Sequence, residues 1–233
     1  KLLMGTIVEI KVPVGPGEYA GRIRQAIDKA FAELKRIEDV FSVFKEASEI
    51  SKINGLKAGE TLKLSDEVYD LVKRSLEYSE LTGGAFDITV KPLVDLWNAA
   101  KTSRRLPLKD EIEAARAKVG PQNIILNEAA RTIFLRQDGV KLNLGGIAKG
   151  YAADRAGAAL RENGVKNAVI NPGGNMYCLG RRSKDELWKV GIQHPRKREE
   201  LFLEIMVEDK AVVTSGDYER YFELDGKRYS HII

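Results

Sequence analysis

Little in this 233-residue sequence offers covalent or metal cross-linking. A single cysteine, Cys178, excludes an internal disulfide, so the fold must rest on its apolar core, and the redox compartment is left open. Only two histidines occur, His194 and His231, and no Cys/His cluster has the spacing of a zinc site. Every apolar stretch is broken by Lys, Glu or Gly well short of the ~20 residues a spanning helix requires. Charge of one sign is scarce too: 38 basic against 34 acidic residues leave +4. The two signs are interleaved, as in Lys29-Ala-Phe-Ala-Glu33, rather than massed in the basic stripe of a nucleic-acid binder. The local exceptions, Lys101 to Arg105 and Arg196-Lys197-Arg198, read as solvated loops first and as anion contacts second. There is no P-loop, no G-x-G-x-x-G, no internal repeat and no low-complexity segment. The chain does not begin with Met and ends at Ser230-His231-Ile232-Ile233 inside a predicted strand, so a missing upstream segment is expected.

What remains is a chain with 43% hydrophobic residues, long enough to bury a core unaided. Gly5 to Val14 alternates as a half-buried strand does. Ile23, Ile27, Ala30, Leu34, Ile37 and Phe41 recur at helical spacing. Ser48 to Asn54 predicts a short helical turn stopped by Gly55. Ser65-Asp66-Glu67 opens a helix buried along Val68, Leu71, Val72 and Leu76, which Gly83-Gly84 terminates. Helices are expected over 93–100 and 109–119, with a loop over 101–107. A three-strand meander is expected over 124–126, 132–135 and 140–144, then a helix over 147–163 capped by Gly164 and a strand over 167–171. From Trp188 on, strands follow one another, with a type I′ hairpin at Asp225-Gly226. Helices and strands mix without βαβ alternation, which predicts an α+β fold. A boundary near 107 has no linker composition behind it, and residues 1–233 are taken as a single domain.

Glycine gathers at element junctions: Gly83-Gly84, Gly145-Gly146, Gly150, Gly173-Gly174 and Gly216. One or two such glycines would serve only positive φ. Several pairs in one chain suggest backbone brought close to a ligand, a phosphate above all. The best instance is Leu142 to Asp154, where a predicted strand turns on two glycines into a helix carrying Lys149. Free N–H groups, the helix dipole and Lys149 would favour an anion there, although a tight turn with a surface lysine explains the segment equally well.

That segment, with Met4-Gly5-Thr6, Gly83 to Val94, Asn171-Pro172-Gly173-Gly174, and Thr214 to Tyr218 running on to Tyr229 to Ile233, resembles in order the ApbE family, the FAD:protein FMN transferases. The resemblance implies a T-fold-like α+β architecture of mixed, largely antiparallel sheets with packed helices. It also implies an enzyme that uses FAD and Mg²⁺ to move FMN onto a threonine of an acceptor flavoprotein of the electron-transport type, releasing AMP. Carried over by position, it implies FAD contacts at Met4, Phe44, Ala85, Phe86, Asp87, Asn143, Lys149, Thr214, Ser215, Gly216 and Ile233. It implies a metal-ligating carbonyl at Gly146 and a general base at His231. Imidazole suits that base because it titrates close to neutrality.

From the residues alone, Phe44 is as well explained as a core aromatic, Ala85 to Asp87 as a buried strand with a capping Asp, and His231 as structural. Asn143 stands where the family often has Asp, and Phe44 keeps the ring but not the hydroxyl of the common Tyr. The family pattern continues past Ser230 to Ile233 with D-P-x-T-G and later Asp and Thr metal ligands. These 233 residues alone are therefore expected to bind flavin poorly and transfer nothing. Hydrolysis of FAD to FMN and AMP, or flavin binding without catalysis, are the alternative activities. An extracytoplasmic setting, periplasmic or as a membrane-anchored lipoprotein, is the expected location.

Overall fold

A computed structural model describes residues 1–15, 20–197 and 199–233. In chain order its elements are β1 Leu2–Leu3, β2 Thr6–Lys11, α1 Ala20–Phe41, α2 Glu49–Asn54, β3 Thr61–Lys63, α3 Asp66–Leu81, α4 Lys91–Ser103 and α5 Lys109–Arg116. There follow β4 Ile124–Asn127, β5 Thr132–Leu135, α6 Ala148–Glu162, β6 Ala168–Pro172, β7 Asn175–Leu179, β8 Trp188–Gln193, β9 Leu201–Val207, β10 Lys210–Val213, β11 Tyr221–Leu224 and β12 Lys227–Ser230. The fold is mixed α+β, and every ladder between named strands is antiparallel. The chain forms two compact units, Lys1–Glu38 with Ile147–Tyr218 and Asp39–Gly146 with Glu219–Ile233. Residue 107 lies inside the second.

In the first unit, β1, β2, β6, β7 and β10 build a five-stranded sheet ordered β1-β2-β6-β7-β10. Helix α1 buries Ala30, Leu34 and Ile37 of the face its spacing predicts, with Ala26 beside them and Ile23 and Ile27 half-buried, each large buried side chain contributing about 1.5–3 kcal/mol. Helix α6 is rich in small residues where it meets the sheet. A methyl group at Gly157 would lie 2.7 Å from the Tyr177 ring, so only glycine allows this approach. Glu33 of α1 accepts from Arg155 of α6 at 3.1 Å, and Lys29 donates to Asn163 at 2.5 Å, so the two helices run antiparallel. Gly164, at φ +82°, ends α6 with Val165 N–H on the Leu160 carbonyl, and the chain turns back into β6. Strands β8 and β9 pair as a separate two-stranded sheet.

In the second unit, β3-β5-β4 form a three-stranded sheet, and β11-β12 a hairpin across Asp225 and Gly226, both at positive φ as type I′ requires. Ser48 caps α2 by accepting from Ser51 N–H, and Ser65 caps α3 by accepting from Val68 N–H.

Four expectations need correction. Residues 140–144 are not the third strand of a meander: Val140, Leu142 and Leu144 are buried with period two, but the segment makes only one bridge, Val90 to Lys141. Its main chain bonds elsewhere, and the third strand is β3. Helix α4 runs on through Lys101 to Ser103 before Arg104 closes it in the left-handed region, so the expected loop is shorter. Helix α5 stops at Arg116. Strands β1 and β7 are elements the sequence pattern did not predict.

Candidate functional site

In the first unit, antiparallel pairing decides which candidates meet. Val8 pairs with Pro172 and Val213 with Asn175, so the start of β2, the β6–β7 turn and the exit of β10 share one end of the sheet. That end carries Met4, Gly173-Gly174 and Thr214 to Gly216. Met4 and Gly5 turn β1 into β2 with φ of +53° and +68°. A methionine in the left-handed region is uncommon, and this one is fixed by its N–H donating to Glu38 Oε1 at 2.7 Å. Gly173, at φ +65°, sits where a Cβ would lie 2.1 Å from Thr6 Oγ1. Thr6 of the Met4-Gly5-Thr6 motif thus packs against the Pro172-Gly173-Gly174 turn. Because α6 runs antiparallel to β6, its first turn, with half-buried Lys149, lies toward this same end. The N-cap of α6, Ile147, makes no side-chain cap bond. Beyond exposed Thr214 and Ser215, Arg196 clamps Asp217 with two bonds of 2.8 and 3.0 Å. The Asp217 carboxylate keeps the Arg196 guanidinium more firmly protonated than usual. The basic run at 196 is thereby occupied by the chain's own carboxylate, while Arg198 lies outside the described residues. His194 Nδ1 accepts from Arg196 and Lys197 N–H and so organises its own loop. Likewise Arg105 is engaged by Glu111 at 2.8 Å.

The second unit gathers its candidates through loops. Phe44, 92% exposed, is no core aromatic. It flanks a cleft of about 390 Å³ lined also by Asn54, Lys91 and Lys141. Lys91 is held by both oxygens of Asp95, at 2.7 and 2.9 Å. Ala85 to Asp87 form a bend and an irregular residue, not the strand that was an alternative reading. Phe86 N–H donates to Thr82 Oγ1, and its ring meets Tyr78 edge-on at 6.4 Å. Asp87 Oδ1 accepts from both the N–H and the hydroxyl of Thr89, at 2.7 Å each. Thr89 Oγ1, fully buried, accepts in turn from Gly120 N–H. The Asp therefore does cap, but across a turn. Asn143 N–H donates to the Ile88 carbonyl at 2.7 Å, and Asn143 Oδ1 accepts from Gly145 N–H at 2.9 Å. A Cβ at Gly146 would lie 3.1 Å from the Phe86 ring. Thus Phe86, Asp87, Asn143 and Gly146 form one cluster.

His231 lies just past β12 and is exposed, with Ile233 two residues on. Its main-chain N–H donates to the Arg220 carbonyl at 2.9 Å, and ring Nδ1 lies 3.0 Å from the same oxygen. A carbonyl only accepts, so in the neutral ring Nδ1 carries the hydrogen and Nε2 keeps the lone pair. Magnesium requires six oxygens in near-octahedral array. Among the described residues no group of three or more His, Cys, Asp or Glu could hold a metal. The exposed Gly146 carbonyl is one donor, and the residues present do not fit a complete magnesium site. No helix among them is long and apolar enough to cross a membrane.

Local pattern did not single out Asn54, Thr89 or Glu38 as site supports. Their partners are 88, 31 and 34 residues away, so no spacing signal existed.

The sequence model of the ApbE family matches residues 4–233. An FAD:protein FMN transferase of Klebsiella pneumoniae (strain 342) is 36% identical over 233 residues, covering 100% of this chain and 70% of that protein. One of Treponema pallidum (strain Nichols) is 31% identical over 247 residues, covering 100% of this chain and 68% of that protein. The crystal structure of an ApbE protein from Thermotoga maritima superposes with a TM-score of 0.87 at 35% identity, over 100% of this chain and 74% of that one. The flavin transferase ApbE of Vibrio cholerae gives 0.80 at 29%, over 99% of this chain and 73% of that one.

Proposed function

Because this chain belongs to the ApbE family, we propose that it is an FAD:protein FMN transferase whose acceptor is a threonine side chain of an electron-transport flavoprotein. The threonine oxygen attacks the phosphorus of the FMN half of FAD. The bond from that phosphorus to the bridging oxygen breaks, and AMP leaves with that oxygen. His231 Nε2 takes the hydroxyl proton; the Arg220 carbonyl on Nδ1 keeps that lone pair available. Exposed Phe44 offers a face on which a flavin or adenine ring can stack. Lys149 and the positive end of the α6 dipole would favour a phosphate. Met4, Ala85, Phe86, Asp87, Asn143, Thr214, Ser215, Gly216 and Ile233 complete the proposed FAD contacts.

A Mg²⁺ requirement belongs to this reading: the ion would supply positive charge that eases attack on a charged phosphate. Gly146 is the residue proposed to ligate it. An extracytoplasmic, membrane-anchored location is likewise proposed, and cell fractionation tests it.

The observation that carries the reading is the match of one family along residues 4–233. Incubation with FAD, Mg²⁺ and a candidate acceptor domain, followed by intact-mass measurement, tests it. An FMN adduct on the acceptor supports transfer. Free FMN with AMP supports hydrolysis, for which the missing hydroxyl at Phe44 is the residue to restore, and unchanged FAD supports binding alone. Omission of Mg²⁺ with added EDTA is expected to abolish the adduct.

A further inference from the structure

Asn54 is the last residue of α2, and its side chain makes both bonds that a neighbouring strand would make to Leu142. Oδ1 accepts from Leu142 N–H at 2.6 Å, and Nδ2 donates to the Leu142 carbonyl at 3.0 Å. Segment 140–144 joins no sheet, so this one amide replaces a strand. The next residue is Asn143, whose N–H is held by Ile88 and whose Oδ1 holds Gly145. Asn54 also lines the cleft beside Phe44, Lys91 and Lys141.

Its mount is stiff. Ile50 and Ile53 are fully buried beneath α2. Ser48, the N-cap, donates to the Ser42 carbonyl at 2.6 Å, and Ser42 Oγ accepts from Phe44 N–H at 3.2 Å. One end of α2 therefore fixes the Phe44 loop, and the other end, through Asn54, fixes the Leu142–Gly146 loop.

We infer that Asn54 is a positioning residue: its side-chain amide sets the Leu142–Gly146 loop in register with the Phe44 cleft, in the form that meets FAD. The last clause rests on the flavin reading given above; the setting of the loop does not. Hence the first readout is independent of flavin. Asn54→Leu removes both bonds. Asn54→Asp keeps the acceptor for Leu142 N–H and sets a carboxylate against the Leu142 carbonyl, and it answers the same question should the leucine variant not fold.

In Asn54→Leu the amides of Leu142 and Asn143 exchange with solvent roughly tenfold faster, the scale of a lost buried hydrogen bond; in Asn54→Asp, which keeps the acceptor for Leu142 N–H, the Asn143 amide does so. Those of β4 and β5 keep their protection. In the same folded samples, well below their melting temperature, the Kd for FAD rises about tenfold. Unaltered exchange over residues 142–146 would overturn the inference. So would faster exchange with FAD affinity within twofold of the parent. If the parent binds no FAD, the exchange result alone decides the role of Asn54, and the flavin reading fails separately.

Discussion

In the first unit the candidate residues are placed by a backbone ladder; in the second they are placed by single side chains. Met4, Gly173-Gly174 and Thr214 to Gly216 meet because β2, β6, β7 and β10 pair in fixed antiparallel register. A register slip would move every side chain of a strand to the other face, so this arrangement is held by the whole sheet. Phe86, Asp87, Asn143 and Gly146 meet because Thr82, Thr89 and Asn54 satisfy the main chain of loops that join no sheet. The ladder spreads its placement over many bonds, whereas each loop depends on one or two. Mutational damage should therefore be steric in the first unit and a matter of lost polar partners in the second.

The largest effect is expected at Gly173→Ala. The added methyl would lie 2.1 Å from Thr6 Oγ1, at a φ of +65°. Displacement of β2 with left-handed strain should cost about 3 kcal/mol or more in urea unfolding. Gly174→Ala, with open space around it, should cost only about 1–2 kcal/mol. Equal effects at the two positions would remove the steric argument.

Next comes Thr89→Val in the second unit, which strands the buried Gly120 N–H and removes the hydroxyl bond to Asp87 Oδ1, leaving the main-chain one. A loss of about 1–3 kcal/mol is expected, with Thr89→Ser recovering most of it.

Smaller still is Glu33→Gln, which weakens the α1–α6 tie in the first unit. The bond from Arg36, and then that from Arg155, hold the Glu33 carboxyl below its ordinary value of 4.5. The stabilisation is therefore complete above the unfolded value and is lost as pH falls through the lower folded one. The variant should be less stable by about 0.5–1 kcal/mol at pH 7, and the gap should close in acid. The smallest effect is none at all: burial pushes the Cys178 thiol up to about 11, so at pH 8 the folded chain should resist alkylation that the unfolded chain undergoes.

Legibility in the sequence followed the same division. The α1 face, the Ser48 and Ser65 caps, the Gly164 stop and the Asp225-Gly226 turn were readable because each is decided within a few residues. Residues 140–144 misled because their alternation is truly that of a buried extended segment; what makes it no strand is Asn54, 88 residues away. The motif residues gave the candidate positions, but not how Met4 is held by Glu38, nor that Asp87 works through Thr89.

Hydrogen exchange with and without FAD tests the flavin assignment most directly. If FAD is the substrate, exchange slows at both clusters, over residues 2–6, 172–175 and 212–218 in one unit and 42–46, 84–88 and 142–146 in the other. Protection missing from either cluster at saturating FAD would contradict it.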